Sequence, residues 1–317
     1  MQFHLLDVPI HFHPTGEKVP VPVHIGVKGD GPCTILLLHG FGDNLHTWSP
    51  LIERLQDFEL CGRSVRFVCP DLPGFGRSPV SRAFAADYFR NAAELALSIA
   101  DRWPGDPLIC VGNSLGGSVA FLALGVQARA QRTCRISGAL LLSPATPRTR
   151  TPVFVRLVRT PTYRWLDSLS QRMGAESRHA TAYKIAKLGA RLELGPTVTP
   201  DPKWLNKLAE AYARDGAFQN MGLVAAHLWD ALSGRVPEVD AWLEESRRVD
   251  CPIILARGEH DPMVSREELE NLAEGRPRIR FEPLAGLSHA PQMEDAGRIA
   301  ELVRELLDEV EQDASPT

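Results

Sequence analysis

Short runs of consecutive apolar residues recur along the chain, separated by longer stretches in which apolar positions return every three or four residues. The runs Cys33–Leu38, Val65–Cys69, Leu108–Val111, Ile136–Leu142 and Pro252–Ala256 have strand length and few polar side chains. That pattern belongs to strands buried on both faces. A more mixed run, Arg278–Pro283, reads as the last strand. Between the runs lie helical periods. Asn44–Asp57 places Trp48, Leu51, Ile52 and Leu55 on one side, and Ala85–Trp103 does the same with Ala92, Leu95, Ile99 and Trp103. Leu115, Val119, Leu122 and Val126 mark a third helix, Ser265–Ala273 a fourth. Ile299, Leu302, Val303, Leu306 and Val310 form the stripe of a long closing helix. Strands alternating with helices predict an α/β fold with a mostly parallel sheet covered by helices on both faces. Upstream, Phe3–Ile10 and Val21–Val27 read as an antiparallel hairpin at the sheet edge, where prolines are tolerated.

The alternation stops between residues 146 and 248. Helical patterns with Pro and Gly punctuation fill this span, and it holds Trp165, Trp204, Trp229, Trp242, Tyr163, Tyr183 and Tyr212. The predicted organisation is a core from 1 to 145, a helical insertion from 146 to 248, and a return to the core from 249 to 317.

The strand Leu108–Val111 runs directly into Gly112-Asn113-Ser114-Leu115-Gly116 and then into a helix. A serine at such a turn takes a strained backbone conformation. Glycines two residues to either side let strand and helix approach closely. The hydroxyl is then raised beside a helix N-terminus, whose amides can hold an oxyanion.

This strand–turn–helix resembles the nucleophile elbow of the α/β-hydrolase family. The family's fold is therefore expected, with residues 146–248 resembling its helical cap, placed over a site at the strand ends. In the family an His-Gly-x segment supplies one oxyanion amide. His39-Gly40-Phe41 matches it, so the resemblance implies the N–H groups of Phe41 and Leu115 as the oxyanion hole. Asp71-Leu72-Pro73-Gly74-Phe75-Gly76-Arg77-Ser78 resembles a family loop of structural role, and His39 is read as holding its own loop together. Family order places Ser114 first, then an acid after the strand that follows the insertion, then a histidine after the last strand. Asp261 and His289 stand there. Cap aromatics such as Trp165 and Trp229 are candidates to contact substrate.

A serine needs a base within hydrogen-bond reach, and the base needs an orienting carboxylate. Glu259 is a rival to Asp261, while His260 reads as structural. The expected activity is hydrolysis of carboxylic esters of small to medium apolar molecules through an acyl-enzyme. A serine, not an aspartate, at position 114 disfavours dehalogenase and epoxide hydrolase chemistry. Thioester hydrolysis, acyl transfer and carbon–carbon bond hydrolysis stay open on the same residues. Asn113 is a weak pointer to the last. A non-catalytic small-molecule-binding protein of this fold is the remaining alternative.

No Gly-rich nucleotide motif or metal-ligand spacing occurs, so no cofactor and no metal is expected. His4, His11, His13 and His24 read as edge-strand residues, since no acidic or cysteine partner has ligand spacing. A net charge of -4 argues against general nucleic-acid binding. The charge is uneven: residues 146–191 hold ten basic residues, among them Arg156, Arg159 and Arg164, against Asp167 and Glu176. Apolar residues interleave with them, so this segment is a candidate contact for anionic lipid or an acyl carrier, or else a solvated face. Six cysteines without a Cys-x-x-Cys pair read as reduced and structural. With no signal peptide or membrane span recognised, a cytoplasmic protein is expected. Oligomeric state is not legible.

Overall fold

The computed structural model describes residues 1–13, 15–56, 64–130, 136–146, 162–232 and 248–314. Eight strands form one sheet: β1 (Gln2–His11), β2 (Lys18–Lys28), β3 (Cys33–Leu38), β4 (Val65–Pro70), β5 (Leu108–Asn113), β6 (Gly138–Leu142), β7 (Ile253–Gly258) and β8 (Ile279–Leu284). Their order across the sheet is β1-β2-β4-β3-β5-β6-β7-β8. The β1–β2 and β2–β4 pairs are antiparallel, and all pairs from β4 to β8 are parallel.

The continuous apolar runs divide between two cores because side chains alternate across a strand. Leu36 and Leu38 of β3, with Cys110 of β5 and Leu141 of β6, face one core. That side is covered by α3 (Tyr88–Arg102) and α4 (Leu115–Ala130). Ile35, Leu37, Val111 and Leu142 face the other, covered by α1 (Ser49–Leu55) and α11 (Ala296–Ala314). Ile299, Leu302, Val303 and Leu306 of α11 are fully buried there, matching the closing stripe of the sequence. Truncating one of these leucines to Ala would cost about 2–5 kcal/mol.

Two predicted helices are interrupted. Asn44–Asp57 resolves into a 3₁₀ turn, Leu45–Trp48, followed by α1. The Asn44 side chain caps the amide of His46, and Pro50 lies in the first turn of α1, where its missing N–H is harmless. The helix expected over 85–103 is broken at Asp87 (φ -134°, ψ 61°) into α2 (Arg82–Ala86) and α3. The sixth strand starts at Gly138, two residues after Ile136.

Between β6 and β7 the described residues form four helices: α5 (Thr162–Gln171), α6 (Ala175–Glu193), α7 (Pro202–Tyr212) and α8 (Ala217–Leu232). The flanks of this insertion, 147–161 and 233–247, are outside the described residues. Ala186 and Ala190 of α6 pack against Trp204, Leu205 and Leu208 of α7. Asp167, one of the two acids counted against the basic residues of 146–191, is buried, and its carboxylate accepts the amides of Phe218 and Gln219 at the start of α8 (3.3 and 2.6 Å). No helix among the described residues is long and apolar enough to cross a membrane. After β7, α9 (Arg266–Ala273) leads to β8, and α10 (Pro291–Glu294) precedes α11.

Candidate active site

Ser114 follows β5 with φ 49°, the left-handed conformation that an elbow demands of a non-glycine residue. The neighbouring glycines are required by contact. A Cβ on Gly112 would lie 2.5 Å from the Gly116 carbonyl oxygen, and one on Gly116 would lie 2.0 Å from that of Leu38. The Ser114 amide donates to Leu142 O (2.9 Å), pinning the turn to β6. Its carbonyl accepts the first helical amide of α4, from Ser118 (3.1 Å), so the amide of Leu115 lies free of the helix ladder. Gly40 packs on the elbow, a Cβ there falling 3.5 Å from that of Ser114. This contact brings the segment carrying Phe41 alongside the serine.

His289, after β8, is buried and points Nδ1 at Asp261 Oδ2, after β7, at 2.9 Å. Asp261 Oδ1 accepts the amides of Met263 (2.8 Å) and Val264 (3.1 Å). Burial opposes its charge, but His289, the Ser143 hydroxyl and the Met263 amide prevail and hold the carboxyl at about 2. For His289, burial disfavours the charged form, while Asp261, Glu193 and Glu294 outweigh it and raise the pKa. Glu259 is elsewhere: its carboxylate accepts the amide of Gly286 (2.9 Å). His260 is exposed. Asn113 donates through Nδ2 to the carbonyls of His289 (3.0 Å) and Leu142 (3.2 Å), bridging the elbow to the histidine loop.

The surrounding loops are fixed by buried polar contacts. His39 Nδ1 donates to Gly40 O (2.8 Å), and Nε2 accepts the Leu72 amide (2.9 Å). The Asp71 carboxylate takes His24 Nδ1 (2.8 Å) and the amides of Leu45 and Arg77 (2.8 and 2.9 Å). His24 is thus a buried partner of Asp71, which corrects its reading as an edge-strand histidine. Among the described residues no group of three or more His, Cys, Asp or Glu is placed to hold a metal. Trp165 is 62% exposed, and the Trp229 side chain lies outside the described residues. Arg156, Arg159 and the Arg164 side chain also lie outside them.

The sequence model described as "Alpha/beta hydrolase family" matches residues 35–302. The chain belongs to the alpha/beta hydrolase family. A pimeloyl-[acyl-carrier protein] methyl ester esterase of Pectobacterium carotovorum is 26% identical over 250 residues, spanning 76% of this chain and 92% of that one. Among solved structures, a thermophilic esterase from Thermogutta terrifontis matches with TM-score 0.61 at 23% identity, covering 96% of this chain and 98% of the other. A carboxylesterase from Bacillus subtilis matches with TM-score 0.65 at 19% identity, covering 97% and 92%.

In this alpha/beta hydrolase the inserted helices are bonded to both sides of the site. On one side, Tyr212 Oη donates to Gly42 O (2.6 Å), and Trp204 Nε1 donates to Asp43 Oδ1 (3.1 Å). On the other, the His289 amide donates to Glu193 O (3.0 Å), and Glu294 accepts the amides of Gly195 (3.3 Å) and Ser288 (3.1 Å). A cavity of about 280 Å³ lies between α7, α8 and the core loops, bounded by Gly42, Phe75, Tyr212 and Met221 among others. Arg257 clamps the acid loop: its guanidinium donates to the carbonyls of Val264 (2.7 Å), Gly258 (2.8 Å) and Asp261 (2.8 Å). None of these partners was legible as functional. Only the position of Arg257, ending a strand just before the acid, offered a signal.

Proposed function

We propose that this hydrolase cleaves carboxylic esters of small to medium apolar substrates through an acyl-enzyme on Ser114. The observation that carries the reading is the Asp261–His289 pair, in the loops beside the elbow that presents Ser114. Nδ1 of His289 is engaged by Asp261, which leaves the Nε2 lone pair as the base. It takes the Ser114 proton as Oγ attacks the ester carbonyl. The amides of Phe41 and Leu115 receive the oxyanion. His289 returns the proton to the departing alcohol. Water, deprotonated in turn at Nε2, then releases the acid and restores Ser114.

We read residues 146–248 as a cap and the helices between β6 and β7 as its body; the cavity between α7, α8 and the core loops joins apolar walls such as Phe75 and Met221 to the charged Asp43, Arg77, Arg214 and Asp215. Ester cleavage is favoured over the thioester, acyl-transfer and carbon–carbon readings by the relative named for a methyl ester. The free thiols Cys33, Cys69, Cys110 and Cys251 fit a reducing cytoplasm. Burial raises the Cys110 thiol far above its usual value, which suits a packing role.

Labelling with a serine-directed fluorophosphonate, blocked by Ser114→Ala, tests the nucleophile. A chain-length series of p-nitrophenyl esters, run beside matched acyl thioesters, tests the substrate class. Absence of labelling would sink the serine mechanism, and faster turnover of the thioesters would replace the ester reading.

A further inference from the structure

Helix α6 ends at Glu193, where the chain touches the histidine loop. The backbone contact is direct, His289 N–H to Glu193 O at 3.0 Å. Two residues on, Gly195 N–H is held by Glu294, whose carboxylate also takes the Ser288 amide. The end of α6 is therefore fixed against the residue carrying the base. The Glu193 side chain is half-buried, and among the described residues no hydrogen bond or ion pair engages its carboxylate. The charges acting on it are those of His289, Asp43 and Asp261. Glu294 is the further acid acting on His289.

A half-buried carboxylate without a partner is destabilising and calls for a reason. Burial is the largest cause that pushes Glu193 up to about 7, with Asp43 and Asp261 adding to it and His289 opposing. The balance changes when His289 takes a proton. An imidazolium beside Glu193 gives that carboxylate the counter-charge it otherwise lacks.

We propose that Glu193 is a positioning residue for His289: a second carboxylate, delivered by the inserted helix α6, that favours the imidazolium formed as Ser114 attacks. Asp261 orients the ring through Nδ1, and Glu193 adds charge without a competing hydrogen bond. The assignment rests on the serine hydrolase reading above. It also gives the insertion a part in the chemistry, since a shift of α6 would withdraw the charge from His289.

The test is Glu193→Gln, with Glu193→Asp as the charge-retaining control. Removing the charge lowers the His289 pKa, so the acid limb of kcat/KM should move to lower pH. The plateau should fall by roughly fivefold to tenfold as the imidazolium loses support. Glu193→Asp should keep the limb near its wild-type position. Thermal stability supplies a separate readout. A carboxyl raised from its usual 4.5 to about 7 costs stability as pH rises through that window. Glu193→Gln should therefore raise Tm relative to wild type more at about pH 8 than at about pH 5. A purely structural residue would change Tm equally at both. An unmoved acid limb, or equal Tm changes at the two pH values, overturns the assignment. Either outcome with Ser114 still labelled leaves the serine mechanism standing, whereas loss of labelling in wild type would remove both.

Discussion

The phenol of Tyr212 donates to the carbonyl of Gly42 at 2.6 Å, joining helix α7 to the residue directly after Phe41. The bond fixes the peptide that follows the proposed oxyanion amide. Tyr212→Phe removes the bond and keeps the ring. Such a bond contributes about 0.5–1.5 kcal/mol, so kcat should fall by up to about tenfold. Steady-state kinetics on a p-nitrophenyl ester, with Tm as a folding control, reads this. A rise in KM with kcat intact would place the effect on substrate binding instead.

Ser114→Ala should abolish turnover with the fold retained, because one hydroxyl at the sheet end contributes little to packing. Losses of about 10³-fold or more are expected, with His289→Ala nearly as severe because the residues act as a unit. Asp261→Asn should be severe and Glu259→Gln mild, since Glu259 bonds Gly286 and not His289. Circular dichroism beside the kinetics separates loss of chemistry from loss of fold.

Acid stability should report on Asp261. Its folded pKa, at about 2, lies below the ordinary 3.8, so its contribution is complete above the ordinary value. That contribution is lost as pH falls through the folded value. Urea midpoints should therefore drop between about pH 4 and pH 2, and Asp261→Asn should flatten that part of the profile. An unchanged slope in the variant would assign the acid transition to other carboxyls.

The outer face of α6 carries Lys184, Lys187 and Arg191, all exposed, beside Leu188 and Leu192 at 62% and 51% exposure. Cations around exposed leucines suit an anionic lipid surface. Co-sedimentation with phosphatidylglycerol vesicles is expected at low salt and not at high salt. Replacing the three cations by Gln should abolish it and leave turnover of a neutral soluble ester unchanged. Absence of binding at low salt would make this a solvated face.

The core was legible because a strand buried on both faces leaves a run of apolar residues that nothing else in the chain imitates. Cys33–Leu38 and Leu108–Val111 are such runs, and they flank the site. The elbow was legible for a related reason: close approach forbids a side chain at Gly112 and Gly116, and that leaves its mark in sequence. Contacts of the insertion were not. Tyr212, Trp204 and Glu193 sit in helical patterns that many packings would satisfy. Which of them reaches Gly42, Asp43 or His289 depends on how α6 and α7 lie on the core. Asp167 and His24 show the same limit, since burial with a distant partner leaves no local trace in the chain.

The prolines of the first hairpin have a consequence for self-association. Pro9 faces Pro20 and Asp7 faces Pro22 across the β1–β2 ladder. A residue without an amide proton cannot supply a ladder bond, so these are the pairs whose donors would point away from the partner strand. Beyond β1 lies the open edge of the sheet, and β4 pairs with β2 only from Ile25 to Lys28. Pro9, Pro20 and Pro22 thus remove outward donors where β1 and β2 have no second neighbour. A foreign strand laid along either margin would find gaps in the donor row and, at Asp7, a charge. The long arm can add width to this sheet without becoming a template for another molecule's.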